Sequence, residues 1–259
     1  MNKQRIIWFD ILKLFAMFLV VWGHCIQRFI AEDASDIEIY RFIYSFHMPL
    51  FMCISGFFAS NLINTDYRTT VYKKLRQLIL PAITFSVLAA FFTVVKGIAN
   101  DFIYEFKTSF WFLKSAFICC LLYVSIYKIF QFIGLKFNII NDLIILLLCS
   151  ITVSHVGLLA IDRMFPSFLL GTIIHRNFDK FRRYDLAIFI ISSFLFLAFH
   201  ILSYHICKLP QQSYIYIFSI LITGLLGSIT FISGFSFSSK RFDIQHISNR
   251  GGGLLTLEQ

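Results

Sequence analysis

The sequence predicts an all-α fold, a polytopic bundle of about eight transmembrane helices in one domain over residues 1–259, and three observations predict it. Hydrophobic residues make up 58% of the chain and charged residues 14%, against about 25% charged in a soluble domain. That leaves too little polar surface to coat a body in water. The apolar residues gather in runs of about 20, the length at which an α-helix crosses the hydrocarbon core. The segments between those runs alternate in charge, as the positive-inside rule demands.

In chain order the candidate spans are Ile6–Phe29, Ile39–Leu62, Leu78–Val95, Phe110–Phe132, Ile139–Ser154, Leu158–Ile174, Leu186–His205 and Tyr214–Gly234. The fifth and sixth are short, and Pro166, which lacks a backbone donor, bends or starts the sixth. Charge then orients them. The N-terminal segment carries Lys3 and Arg5, net +2, and residues 31–38 carry Glu32, Asp33, Asp36 and Glu38, net −4. Residues 63–77 are net +3, residues 96–109 neutral, and both 177–185 and the tail from Phe235 net +1. This alternation predicts a multi-pass protein of the inner cell membrane with its N-terminus in the cytoplasm. Trp8 and Trp22 fall where the two interfacial belts are expected. The first apolar run is long enough to stay as a span rather than be cleaved as a leader. The polar tail lacks the apolar length for another crossing.

The net charge is +9, but the basic residues fall in short segments at alternating ends of the spans, so the partner implied is the bilayer and no nucleic acid is expected. The 33 phenylalanines suit a lipid-facing surface. Cys25, Cys53, Cys119, Cys120, Cys149 and Cys207 all sit in apolar runs without a CxxC pair. They read as small buried hydrophobes rather than disulfides or ligands, and no metal is expected.

Ionisable groups inside a span are costly and mark candidate sites. The first run holds Asp10, Lys13 and His24. At 100° per residue, Lys13 and His24 share one face of a helix, with Asp10, Met17 and Val21 close to the same stripe. A neutral imidazole accepts a proton from an alcohol near neutral pH, and on a rise of 1.5 Å per residue His24 lies about 27 Å from Ile6, near the outer face. The plain alternative is an inert interfacial histidine. Lys13, about 10 Å along, is either a cation for an anionic group of a substrate or a lysine snorkelling to the inner surface and paired with Asp10. The second run reads Phe46-His47-Met48-Pro49-Leu50-Phe51 and then Ser55-Gly56. Pro49 bends the helix and Ser55-Gly56 admits another backbone closely, so the stretch is a kinked packing helix with His47 at the kink, or a binding element. Lys73, Lys74 and Arg76 are either ordinary inner-surface charge or a clamp for phosphate. Trp111, within Ser109-Phe110-Trp111-Phe112-Leu113, marks an aromatic entry to a span.

Together these segments resemble the acyltransferase family 3 membrane proteins, which are integral-membrane O-acyltransferases. Asp10-Ile-Leu-Lys13 followed by ten residues and His24 is similar to the family's Arg-x10-His opening, with Lys for Arg. The Phe46-His47-Met48-Pro49-Leu50-Phe51 to Ser55-Gly56 stretch resembles its second-helix motif. Lys73-x-x-Arg76 resembles its basic Arg-x-x-Arg stretch, and Trp111-Phe-Leu and Phe168-Leu-Leu-Gly171 two further landmarks. The resemblance implies an acyl-CoA donor, often acetyl-CoA, and a hydroxyl acceptor on a surface polysaccharide or its lipid-linked precursor. It implies His24 as the catalytic residue, aided by Asp10 and Lys13, and Lys73, Lys74 and Arg76 as donor contacts. His47, Pro49, Ser55 and Trp111 become substrate-binding or structural motif positions.

Family members have roughly ten spans on the same length reading, so the chain is expected to lack the last of them. The tail from Ile247 to Gln259 reads as the run-up to a further helix. Two rival readings remain: a transporter or flippase-like protein for lipid-linked sugars, and an inactive truncated remnant.

Overall fold

The computed structural model describes residues 6–29, 37–95, 106, 110–134, 145, 161–206 and 214–254. Among the described residues every regular element is helical, as hydrocarbon requires of a backbone that has no water to bond. The elements are α1 (Ile7–Phe29), α2 (Glu38–Ala59) closed by a 3₁₀ turn (Ser60–Asn64), α3 (Tyr67–Lys74), a π turn (Leu75–Ile79), α4 (Leu80–Val95), α5 (Trp111–Ile133), α6 (Ile161–Arg176), α7 (Phe178–Arg183), α8 (Asp185–Ile206) and α9 (Tyr214–Leu254). Among the described residues six helical stretches are long and apolar enough to cross a membrane: Ile7–Phe29, Glu38–Asn64, Tyr67–Phe92, Trp111–Ile133, Asp185–Ser203 and Phe218–Arg241. They correspond to six of the eight expected spans. The fifth, Ile139–Ser154, lies outside the described residues apart from Ile145. The sixth is the 16-residue α6, with Pro166 inside it.

Two boundaries differ from the expectation. Residues 63–77 were to connect two spans, yet the chain is helical without a break from Tyr67 to Val95. Asp66 starts that helix: its carboxylate accepts the Thr69 backbone N–H at 3.2 Å, an N-cap bond that satisfies one orphan donor. The same bond holds the Asp66 carboxyl below the usual carboxylate range. No glycine or proline interrupts residues 67–80. The tail behaves likewise, since α9 runs 41 residues to Leu254, well beyond the apolar stretch that ends near Gly234.

The chain gathers into two units, residues 1–54 with 177–259 and residues 55–176. In the first, α1 buries the stripe Phe9, Leu12, Ala16, Leu19, Gly23 and Ile26, an i, i+3/i+4 face. Phe15 meets Phe231 and Phe235 of α9 at 5.4 and 5.6 Å between ring centroids, and Phe46 of α2 stacks on Phe231 at 4.3 Å. The helices α8 and α9 form an antiparallel hairpin, with Phe189 against Gly234 and Phe196 against Gly227. Between helices the hydrophobic effect is weak in lipid, and small residues and hydrogen bonds take its place. The α9 seam follows that rule: Ser219, Thr223, Ser228, Thr230, Ser233 and Ser236 are buried. Thr223 and Ser228 donate to carbonyls one turn back at 2.7 and 2.8 Å, and Thr230 donates across to Ser192 at 3.0 Å. At the end of the seam Asp185, 2% exposed, receives Lys240 Nζ at 2.8 Å and Ser236 Oγ at 2.9 Å. Lys240 also bonds the carbonyl of Arg182.

In the second unit, the π turn packs against α5, and α6 packs on α5 through Phe168 and Tyr123, 5.8 Å apart. Gly134 ends α5 with φ at 76°, the left-handed conformation that favours glycine. The tightest approach is at Gly56, where an added Cβ would overlap the carbonyl oxygen of Phe168.

These packing details set two expectations for stability. Gly56→Ala pushes two backbones apart and is expected to cost about 1–3 kcal/mol, read as a lower thermal midpoint in detergent. Lys240→Met leaves Asp185 buried with only a hydroxyl and is expected to cost about 3 kcal/mol. Adding Asp185→Asn to Lys240→Met recovers part of that midpoint, because the loss comes from the unpaired charge.

Candidate functional site

The first unit holds the titratable groups that the sequence singles out on α1 and α2. Asp10 and Lys13 are brought together, with Lys13 Nζ donating to Asp10 Oδ1 at 3.2 Å and both side chains partly exposed. This is the i, i+3 pair that the spacing offers. It does not reach His24, which lies eleven residues and about 16 Å further along α1. His24, Met17 and Val21 are exposed, on the side of α1 away from its buried stripe.

What stands against Gly23, within that stripe, is α2. Gly23 has no side chain, and Tyr44 occupies that space: its Cε2 lies 2.7 Å from where a Cβ would stand. Tyr44 stacks on Tyr40 at 4.0 Å and meets the edge of His47 at 4.7 Å. His47 is buried. Its Nδ1 lies 2.8 Å from the carbonyl oxygen of Ile43. A carbonyl only accepts, so Nδ1 carries the hydrogen and Nε2 holds the lone pair. Two residues on, Pro49 has no N–H to offer Ser45, and its Cγ lies 2.7 Å from where a Cβ on Gly224 would stand. Ser45 turns its hydroxyl to the Phe42 carbonyl at 2.7 Å.

Sequence reasoning passed over a third histidine in this unit. His200 of α8 lies between Phe42 and Phe196 at 5.3 and 6.1 Å. Its Nδ1 is buried with no hydrogen-bond partner among the described residues. A lone histidine in an apolar run was the available signal.

The second unit carries the basic stretch. Lys73 and Lys74 end α3 and Arg76 lies in the π turn; such turns are rare and recur at functional sites. The three side chains part: Lys73 and Arg76 are exposed, whereas Lys74 is half-buried. Ser55 is half-buried beside Gly56, so two of the sequence landmarks, Ser55-Gly56 and Phe168-Leu169-Leu170-Gly171, meet at one backbone approach. Trp111 opens α5 after Phe110, a non-glycine residue with φ at 54°. Lys114, one turn on, is buried; its Nζ bonds the Phe106 carbonyl and lies 4.8 Å from the Phe106 ring centroid. Its presence in a span was a signal that went unread. His175 at the end of α6 receives Asn61 Nδ2 at 3.3 Å and meets Phe57 at 4.9 Å. Among the described residues no group of three or more His, Cys, Asp or Glu could hold a metal ion.

The profile of the acyltransferase domain family matches residues 6–254. The chain belongs to that family. Among curated proteins it is similar to the nodulation protein NolL of Sinorhizobium fredii, 32% identical over 191 residues, which are 69% of this chain and 51% of that protein. It is similar also to nodulation protein NolL of Mesorhizobium japonicum, 32% identical over 133 residues, 47% of this chain and 36% of that one. The matched regions thus span about half or less of these relatives' length. No solved structure matches the chain.

Proposed function

We propose that this acyltransferase-family chain is a membrane-bound O-acyltransferase of the inner cell membrane, with its N-terminus in the cytoplasm. It moves an acyl group, acetyl foremost, from acyl-CoA to a hydroxyl of a surface polysaccharide or its lipid-linked precursor. The single observation that carries the reaction class is the family match over residues 6–254. The exposed imidazole of His24 supports the choice of base.

In this reading His24 takes the proton from the acceptor hydroxyl. The freed oxygen electron pair forms a C–O bond to the thioester carbonyl carbon, and the C–S bond breaks as the tetrahedral intermediate collapses. The thiolate receives the proton from His24, which returns neutral, with ester and free CoA as products. Lys73, Lys74 and Arg76 hold the phosphates of the donor, a task suited to their charge. Lys13, paired with Asp10, supplies a cation within the span for an anionic group. Pro49, Ser55 and Trp111 shape the elements that carry these groups.

His24→Ala is expected to lower acetyl transfer by about 10²–10⁴-fold, read as acetylated glycan by mass spectrometry of cells carrying wild type or variant. Wild-type transfer by His24→Ala would overturn the role. Acetyl-CoA binding without turnover by the wild type would overturn the enzyme in favour of a non-catalytic protein. Lys73→Ala with Arg76→Ala is expected to weaken acetyl-CoA binding about tenfold for each cation–phosphate pair removed. Titration of the detergent-solubilised protein reads this, and the loss shrinks with dephospho-CoA thioester.

A further inference from the structure

We propose that Arg28, with Gln27 beside it, binds the acceptor, and that the acceptor is an anionic saccharide whose phosphate or carboxylate oxygens the Arg28 guanidinium holds. The proposal deepens the reading of His24 as a base at the outer face and rests on it.

The arrangement of side chains around α1 carries the inference. The helix presents three arcs. One is buried and holds Leu12, Ala16, Leu19, Gly23 and Ile26. At 100° per residue, the exposed Ile11, Leu14, Phe18, Trp22 and Phe29 fall together on a second, apolar arc, where Phe18 meets Trp22 at 5.5 Å. The third arc continues the stripe that begins with Asp10 and Lys13. Past Met17 and Val21 it holds His24 and Arg28, with Gln27 on its edge towards Gly23, where Tyr44 of α2 packs. His24, Gln27 and Arg28 stand at i, i+3 and i+4, and all three are exposed. The last two turns of α1 therefore divide at one depth. Trp22, Cys25 and Phe29 lie on one side, and His24, Gln27 and Arg28 on the other.

Polar groups of a span avoid hydrocarbon and face a water-filled cavity or the interior of a bundle. An arginine that only anchored the helix at the interface would serve on any side. The helix C-terminus favours a cation in its last turn, and it does not choose the side either. Arg28 stands on the side of the base. Its charge also runs against the orientation rule, which gathers cations at the cytoplasmic ends. Glu32, four residues on in sequence, is the plain alternative partner, and the experiment separates the two.

The chemistry of the arc fits an acidic sugar. A guanidinium holds phosphate or carboxylate through two parallel N–H bonds, and the Gln27 amide can both donate to and accept from sugar hydroxyls. Arg28 lies about 6 Å along the axis from His24. The anionic group therefore belongs to the reacting sugar or to its immediate neighbour. A lipid-linked precursor supplies it as a diphosphate, and an acidic sugar of the polymer supplies it as a carboxylate.

The test uses the full chain in phosphatidylcholine nanodiscs and three probes. These are N-acetylglucosamine on farnesyl diphosphate, the same sugar as a neutral farnesyl glycoside, and farnesyl glucuronide. The wild type is expected to bind one anionic probe about tenfold more tightly than the neutral one. Arg28→Gln is expected to level that preference while binding of the neutral probe and of acetyl-CoA stays unchanged. Arg28→Lys keeps part of the preference, because charge remains and the paired bonds are lost. Gln27→Ala weakens all three probes alike. Preference for the diphosphate names the lipid-linked precursor as the source of the anion, and preference for the glucuronide names the polymer. Equal behaviour of the three probes on the wild type, absence of binding included, would overturn the proposal. So would a preference that survives in Arg28→Gln; a lowered thermal midpoint with that preference intact assigns Arg28 to a structural pair with Glu32. Transfer by His24→Ala at the wild-type rate would instead sink the assignment of the base, and the probe preference would still judge Arg28.

Discussion

The constraint on which the rest of this structure depends is that apolar helix faces in a bilayer gain little from one another over lipid. Leu14, Phe18, Phe91, Phe92, Phe194 and Leu197 all remain exposed, and nothing in hydrocarbon drives them inward. What holds helices at fixed registers is therefore a small set of places where backbones approach or polar groups pair. Gly23 admits Tyr44, Gly56 admits the Phe168 carbonyl, and Gly227 admits Phe46 and Phe196. The hydroxyls of the α9 seam satisfy themselves on carbonyls a turn back, so they let helices come close without leaving orphan donors in lipid. Asp185 with Lys240 then fixes one end of the α8–α9 hairpin.

The same constraint governs every charge within a span. Lys13 pairs with Asp10 one turn below it, and Lys114 turns back to the carbonyl and ring of Phe106. Each is a cation already met by a partner, which is what the cost of charge in hydrocarbon requires. Lys73 and Arg76 differ, since their side chains lie exposed near the start of the helix that runs from Tyr67.

How much of this was legible in the sequence depends on the range of the interaction. The apolar runs located the six long helices, because length and composition are local. The shared face of Lys13 and His24 and the Asp10–Lys13 pair followed from helix periodicity alone. Ser55-Gly56 was readable as a point of close approach, but its partner, Phe168, lies far along the chain and nothing local names it. The helix over 67–77 was misread as a connection because Lys73, Lys74 and Arg76 are polar, although Asp66 with Thr69 is a cap signal and the stretch has no breaker. In the tail, helix continues past the apolar run to Leu254: a polar composition argues against burial, not against helix. Asp185 with Lys240 depends on which helices meet, and no periodicity within one helix contains that.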